Sequence, residues 1–368
     1  MPTSNQCHRQ RSFGLTAIFV ALAEHVTYVR SLAPPYDLQV VDKNNEFSRR
    51  LRARVSYDGA GFHGVQKNVG VRSVISTFEE SLRPALEQQL EFKVAGRTDA
   101  GVSATGQIIT FDTMISPCSQ VSNDAVKFKV NGLPTTLEQM PEALNSCLPE
   151  DIRVLHCDIV PQSFDVARDS RWKRYRYSIP SETCPSNKHM PMLKVVASHA
   201  ARALRRQMST GAVQKATDDG TKIAVRPARR KKANCPPLRD LEAMNEAASL
   251  IQGTHNFESF RASGGDQMTT VRNIYRCYVE LREDRGFDVV VEGDGFLYKM
   301  VRIIAGTLVM VGMGLMPPKA IPIALGEIDL SESSPGVEET TEVNAGLKIT
   351  GPVLPPEHLC LEYIHYDA

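Results

Sequence analysis

The residues best suited to chemistry lie in one short segment, residues 95–107. It reads Ala-Gly-Arg-Thr-Asp-Ala-Gly-Val-Ser-Ala-Thr-Gly-Gln, and its three glycines predict a tight loop whose backbone approaches another group closely. Arg97 and Asp99 lie two positions apart, just before a predicted strand, so such a loop can direct both side chains into one cleft. An ionised carboxylate can act as a nucleophile, and an arginine can pair with it or with phosphate. On charge and glycine content alone, an ion pair that braces a turn is the commoner explanation.

Two further candidates lie far from this loop in the sequence. Tyr175 belongs to a predicted strand, Arg174–Ile179, in which Tyr175, Tyr177 and Ile179 share one face. Its ring could stack on a base and its hydroxyl could handle protons, although a tyrosine in such company is more often part of the core. Arg302 lies in a largely apolar predicted helix from about residue 296 to 311. A lone arginine there is more often a buried, paired cation.

The elements that must position these residues come in mixed order. Helices are predicted after the capping residues Ser73 and Asp240, with Pro84 inside the first. Further strands are predicted by alternating apolar residues at positions 51–57, 106–112, 275–281, 287–291 and 359–366. Hairpin-like strand pairs mixed with helices predict an α+β fold around an antiparallel sheet, not a doubly wound parallel one.

Composition is ordinary for a globular protein. The chain has 368 residues, 42% hydrophobic and 23% charged, with a net charge of +1, so a nucleic-acid partner would require a local basic surface. Eight scattered cysteines form no CxxC pair and no zinc spacing, which predicts reduced thiols in an intracellular compartment and no metal site.

Two segments differ from the rest. Within residues 1–50, three basic residues precede an apolar run that is too short to cross a bilayer. This segment is typical of either a targeting sequence, which would place the protein in a plastid or mitochondrion, or a disordered tail of a cytoplasmic protein. Residues 187–237 are predicted to be a basic, partly disordered insertion, because residues 202–232 contain ten Lys or Arg and two acids. The rest divides into predicted lobes at 51–163 and 164–368.

The string at residues 96–102, Gly-Arg-Thr-Asp-Ala-Gly-Val, resembles the signature loop of TruA-type tRNA pseudouridine synthases. The resemblance recurs in order along residues 51–366, apart from the insertion and linkers. It is carried by residues 57–59, 62–64, 66, 143–145, 148–152, 174–177, 253–261, 271–272, 295–298, 300–302, 351–352 and 355–356.

This resemblance implies a function and a role for each candidate. The family isomerises uridine to pseudouridine in tRNA, and members with alanine at position 100 resemble those that act on positions 38 to 40 of the anticodon stem-loop. Asp99 is then the nucleophile, and Arg97 helps to fill the space left by the flipped base. Tyr175 is the active-site tyrosine, and Arg302 is the second active-site arginine.

The resemblance also implies an architecture and partners. We expect two similar α/β lobes that share a mostly antiparallel sheet, with a central RNA-binding cleft. We expect a homodimer that binds tRNA, without a membrane association. The reaction uses no redox cofactor and no metal, so we expect none.

Departures from the family pattern and two rival functions stay open at this point. The family usually has His at Ser103, Trp at Val65 and Gly at His358, which puts peripheral packing and RNA contacts in question. One rival is a non-catalytic RNA-binding protein on the same fold, which the intact Asp99 opposes. The other is a nucleoside hydrolase, which the tRNA-sized lobes and the basic insertion oppose.

Overall fold

The structure is a computed structural model that describes residues 39–40, 47–115, 127–180, 240–265, 267–327 and 350–367. Contacts divide the chain into two units, Met1–Val40 and Val41–Ala368. Of the first unit only strand β1, Gln39–Val40, is described. The predicted insertion and most of the predicted N-terminal segment lie outside the described residues. No helix within the described ranges is both long and apolar enough to span a membrane.

A nine-stranded sheet organises the second unit. Its strands are β2 Ser48–Tyr57, β4 Lys93–Val94, β5 Ser103–Met114, β8 Ile152–Val160, β9 Ser170–Ile179, β10 Gly253–Asn256, β11 Val271–Leu281, β12 Phe287–Gly293 and β13 Leu359–Tyr366. The order is β10-β11-β12-β9-β13-β5-β2-β8, with β4 beside β5. Among these pairings only β13 with β5 is parallel. The predicted α+β fold with a mostly antiparallel sheet is confirmed.

Short strands and five helices complete the described part of the second unit. The strands are β3 Gln88–Gln89 and the hairpin of β6 Lys127–Val130 with β7 Leu133–Thr136. The helices are α1 Val74–Leu86, α2 Met140–Asn145, α3 Leu241–Ser249, α4 Met300–Gly312 and α5 Ala320–Ala324. Single 3-10 turns lie at Gly59–Gly61, Glu258–Phe260 and Pro356–His358.

The helix starts follow local capping chemistry. Ser73 accepts a hydrogen bond from the Ser76 amide and completes a capping box, and α1 continues through Pro84. Asp240 caps α3 in the predicted way. Helix α4 begins at Met300 and not near residue 296, because Lys299 adopts a left-handed conformation with φ of 58°.

Two helices are attached to the sheet by the same kind of hydrogen-bond pair, between an asparagine side chain and a strand backbone. In α2, the Asn145 side chain donates to the Val154 carbonyl at 2.8 Å and accepts from its amide at 2.7 Å. In α3, the Asn245 side chain makes the equivalent pair with Val279, at 2.9 Å and 2.8 Å. Each amide therefore fixes the register of a helix over a strand, once in each half of the chain.

The core follows the predicted alternation in β9 but not in all of β11. Tyr175, Tyr177 and Ile179 are all buried on one face. In β11 the pairing shifts between Ile274 and Arg276, and Tyr275 at the shift is 47% exposed. An irregularity of this kind changes which side chains face the core, so Tyr275 does not share the buried face of Cys277 and Val279.

Helix α4 lies unusually close to the segment before β13. A β-carbon on Gly306 would lie 2.1 Å from the Pro352 carbonyl oxygen, and one on Gly351 would lie 2.3 Å from the Gly306 backbone. The Leu354 amide also donates to the Arg302 carbonyl at 3.3 Å. Backbone packing at this distance requires glycine and holds the first two turns of α4 against this segment.

Candidate active site

A cavity of about 680 Å³ opens beside the signature loop, residues 96–102. Its walls come from the loop itself, from the turn around residues 63–68, from β9, and from residues 264–267 and 296–301. Arg97, Asp99 and Tyr175 all line it, and Arg302 contacts Asp99. The structure thus brings together four candidates that are separated by up to 205 positions, from 97 to 302.

Backbone hydrogen bonds hold the signature loop against the turn after β2. The Thr98 carbonyl accepts from the Val65 amide at 3.2 Å, and the Gly101 amide donates to the Phe62 carbonyl at 3.2 Å. A β-carbon on Gly64 would lie 3.0 Å from the Thr98 oxygen, and its φ of +93° favours glycine. The predicted close approach of a glycine-rich backbone is therefore present.

Side chains beneath the loop anchor it further. Buried Thr98 shares a hydrogen bond of 2.7 Å with the Tyr57 hydroxyl, and the Gln107 amide donates to the Gly96 carbonyl at 2.8 Å. Burial raises the pKa of Tyr57 to about 12, so this hydroxyl stays protonated at neutral pH. Because Thr98 points inward, its neighbour Asp99 is left half-buried at the cavity.

Asp99 is held by a loose ion pair. Arg302 Nη1 lies 3.4 Å from Asp99 Oδ2, with side-chain exposures of 11% and 30%. This separation is longer than the 2.7–2.9 Å typical of a charge-assisted hydrogen bond. Arg302 is itself fixed by donation from Nε to the Leu354 carbonyl at 2.6 Å. Arg302 is thus buried and paired, and its partner is the candidate nucleophile.

Tyr175 belongs to the core and the cavity at once. Its side chain is 7% exposed, and its ring meets Phe296 edge-on at 5.1 Å between centroids. The hydroxyl makes no hydrogen bond to another residue within the described ranges. Burial raises the pKa of Tyr175 above its ordinary value, so the hydroxyl can donate but does not ionise at neutral pH.

Positive charge dominates the cavity lining. Among described residues the lining includes three cations, Arg97, Lys173 and Lys299, and one carboxylate, Asp99. Sequence analysis did not identify Lys173 or Phe296 as site residues. The available signal for Lys173 was its position two residues before Tyr175, which places both on one strand face. Phe296 gave no signal of its own.

The three residues that differ from the family pattern make packing or hydrogen-bond contacts within the fold. Ser103 accepts a hydrogen bond from the Gly59 amide at 3.0 Å. Val65 is fully buried, and its amide binds the signature loop. His358 meets the Tyr177 ring edge-on at 6.1 Å.

Several known proteins are similar to this chain in sequence. A family model described as tRNA pseudouridine synthase matches residues 247–367. A protein named tRNA pseudouridine synthase A from Bacillus pumilus is 34% identical over 278 residues, covering 75% of this chain and 89% of that protein. Its namesake from Syntrophomonas wolfei is 30% identical over 319 residues, covering 86% and 97%.

The likeness extends well beyond the signature loop. A third namesake, from Ruminiclostridium cellulolyticum, is 28% identical over 285 residues, which is 77% of this chain and 93% of that protein. These alignments span most of both chains, so they reflect a shared fold and not an isolated motif. The chain belongs to the tRNA pseudouridine synthase A family.

Proposed function

We propose that this chain isomerises uridine to pseudouridine in tRNA, with Asp99 as the nucleophile. The observation that carries the proposal is the placement of Asp99. It is a half-buried carboxylate at the cavity, paired with Arg302 at 3.4 Å and held on a tightly anchored loop. Such rigid placement is what a reaction at one ribose carbon needs.

The chemistry requires the glycosidic bond to break and the same base to return through another atom. The C1′–N1 bond breaks with its electron pair on the uracil, the base turns, C5 bonds to C1′, and the C5 proton is lost while N1 gains one. Two step orders use the same carboxylate, which either attacks C1′ or removes the proton from C2′. In both orders Asp99 must be unprotonated and close to the ribose.

The other candidates receive roles from their positions on the cavity wall. Tyr175 offers a ring for stacking on the flipped uracil and a protonated hydroxyl for donation. Arg97 is exposed at the same cavity and can fill the space that the base leaves in the stack. Arg302 pairs with Asp99 and balances its charge.

Charge supports a nucleic-acid substrate. Cations in the lining such as Arg97 and Lys299 suit a phosphate backbone, even though the whole chain is nearly neutral. A tRNA partner also accounts for a cavity that is open and polar. As the target we propose positions 38 to 40 of the anticodon stem-loop, from the Ala100 form of the signature loop.

The proposed assembly is a homodimer of chains that each contain two similar α/β lobes around an RNA-binding cleft, with the division near residue 163. Support for the internal likeness comes from the matching asparagine clamps, Asn145 on Val154 and Asn245 on Val279. Light scattering of the purified chain tests the dimer.

The function is tested with purified protein and an unmodified tRNA transcript. Pseudouridine is mapped base by base after incubation, and tRNAs with uridine only at 38, 39 or 40 are compared with one that has none there. We expect modification confined to those three positions. Modification elsewhere would contradict the site assignment, and none in any tRNA would contradict the activity.

A further inference from the structure

Lys173 faces the proposed active site without a role so far. It lies on β9 opposite Gly293 of β12 and Ile364 of β13, and its side chain lines the cavity. Its last two carbons and its Nζ are 3.7–3.8 Å from the point that a β-carbon of Gly96 would occupy. The ammonium therefore lies against the signature loop.

Among the residues that the structure describes, this ammonium has no close partner. Within the described residues it makes no hydrogen bond or ion pair, and the nearest carboxylate influence is the exposed Asp294. Burial lowers the pKa of Lys173, and Asp294 opposes the shift only in part. A half-buried cation without a partner costs free energy, and a ligand in the cavity would supply the missing acceptor.

The strand geometry indicates which part of a ligand it would meet. Positions 173 and 175 are two residues apart on one face of β9, so their Cα atoms are about 6.6 Å apart. Their side chains therefore enter the cavity side by side. If the Tyr175 ring stacks on the face of a base, a side chain beside that ring meets the edge of the base. The edge of uracil carries the O2 and O4 oxygens, which accept hydrogen bonds.

We propose that Lys173 is a catalytic residue that stabilises the departing uracil. This inference rests on the proposed function. When the C1′–N1 bond breaks, its electron pair stays on the base as a negative charge shared by N1, O2 and O4. Lys173 donates a hydrogen bond to one of these oxygens and keeps its own proton throughout, so the balance of the reaction is unchanged. Asp99 acts at the ribose while Lys173 acts at the base.

The test uses two substitutions and one matched control. Lys173→Met keeps the length and removes the charge, and Lys173→Arg restores a cation. Arg171→Met removes a cation from the same strand at an exposed position, where Arg171 pairs with Asp367. Each protein is assayed for single-turnover pseudouridine formation, for tRNA Kd across several salt concentrations, and for thermal stability.

We expect Lys173→Met to lower the single-turnover rate about 100- to 1,000-fold, as loss of one donor to a developing anion does. The tRNA Kd and its salt dependence should not change, Tm should not fall, and arginine should restore part of the rate. The Arg171 control should match wild type.

Three results would overturn the proposal. A weaker Kd with a salt slope reduced by about 0.9 would assign Lys173 to a phosphate. An unchanged single-turnover rate would show that Lys173 does not take part in catalysis. Equal losses of rate in Lys173→Met and Lys173→Arg, together with a lower Tm, would show that Lys173 has a structural role. In all three cases wild-type activity would leave the proposed function standing, whereas an inactive wild type would remove both.

Discussion

Replacing Tyr175 separates the two roles that its side chain is proposed to perform. Tyr175→Phe keeps the ring and removes only the hydroxyl, which has no hydrogen-bond partner among the described residues. Thermal stability should therefore change little. Because burial raises the pKa of this phenol above its ordinary value of 10, the hydroxyl stays protonated below that pH. Tyrosine and phenylalanine enzymes should then have the same shape of pH–rate profile from pH 6 to about 9.

Tyr175→Leu removes the ring as well. The side chain is 7% exposed and packs edge-on against Phe296 at 5.1 Å, and an aromatic pair of this kind contributes about 0.5–1.5 kcal/mol beyond its buried area. Stacking of a base on an aromatic ring contributes about 1–3 kcal/mol. The leucine enzyme should accordingly be about 5- to 150-fold slower than the phenylalanine enzyme in single turnover.

The assay needs a control for stability. Tyr177→Leu removes a fully buried ring two residues along the same face, outside the cavity lining. Rates of all variants are compared at a temperature where thermal melts show each to be folded. Equal rates for the leucine and phenylalanine enzymes at position 175, or an equal loss for Tyr177→Leu, would refute stacking and return Tyr175 to the core.

Other consequences concern packing, acid stability and tRNA affinity. Gly306→Ala places a β-carbon 2.1 Å from the Pro352 oxygen, so it should destabilise by about 1–3 kcal/mol in thermal melts; helix propensity alone predicts the opposite sign. The Arg72 guanidinium lowers the pKa of Asp151, so this pair stabilises the fold above about pH 4 and loses that contribution on acidification. Asp151→Asn should flatten the fall in urea-unfolding stability below about pH 4, and an unchanged curve would contradict this. Deleting residues 202–232 should reduce the salt slope of tRNA binding by up to about 0.9 per lost phosphate contact; an unchanged slope would indicate a solvated loop.

The features that sequence predicted well depend on neighbours within a few residues. Alternation in β9 placed Tyr175 and Tyr177 on the buried face, and Ser73 and Asp240 cap helices as expected. Period-2 patterns and capping boxes are local, because each reflects hydrogen bonds or burial along a single element. The antiparallel character of the sheet followed from the order of these elements.

The features that sequence missed depend on contacts between distant segments. The start of α4 depends on the left-handed Lys299, and the exposure of Tyr275 depends on a shift in strand pairing. Neither a left-handed residue such as Lys299 nor a shift in strand pairing leaves a recognisable pattern in the amino-acid sequence. Lys173 lies one residue before the predicted strand Arg174–Ile179, and its value to the site comes from the cavity that the signature loop and the 296–301 segment build around it.

The sequence identified Arg302 as a candidate, whereas only the structure shows which groups it contacts. The apolar helix and the resemblance named it, but the contacts that give it a purpose are long-range. They run to the Leu354 carbonyl at 2.6 Å and to Asp99 at 3.4 Å. A helix pattern cannot indicate which loop lies opposite its first turn.

The central claim is that Asp99 performs chemistry and does not merely brace the loop, and Asp99→Asn tests it most directly. Asparagine keeps the size of the side chain and can still accept a hydrogen bond from Arg302 Nη1, which lies 3.4 Å from the carboxylate. It lacks the charge that a nucleophile needs. We predict that single-turnover pseudouridine formation is abolished, while tRNA affinity and Tm stay close to wild type. Substantial residual turnover by the folded variant would contradict the account.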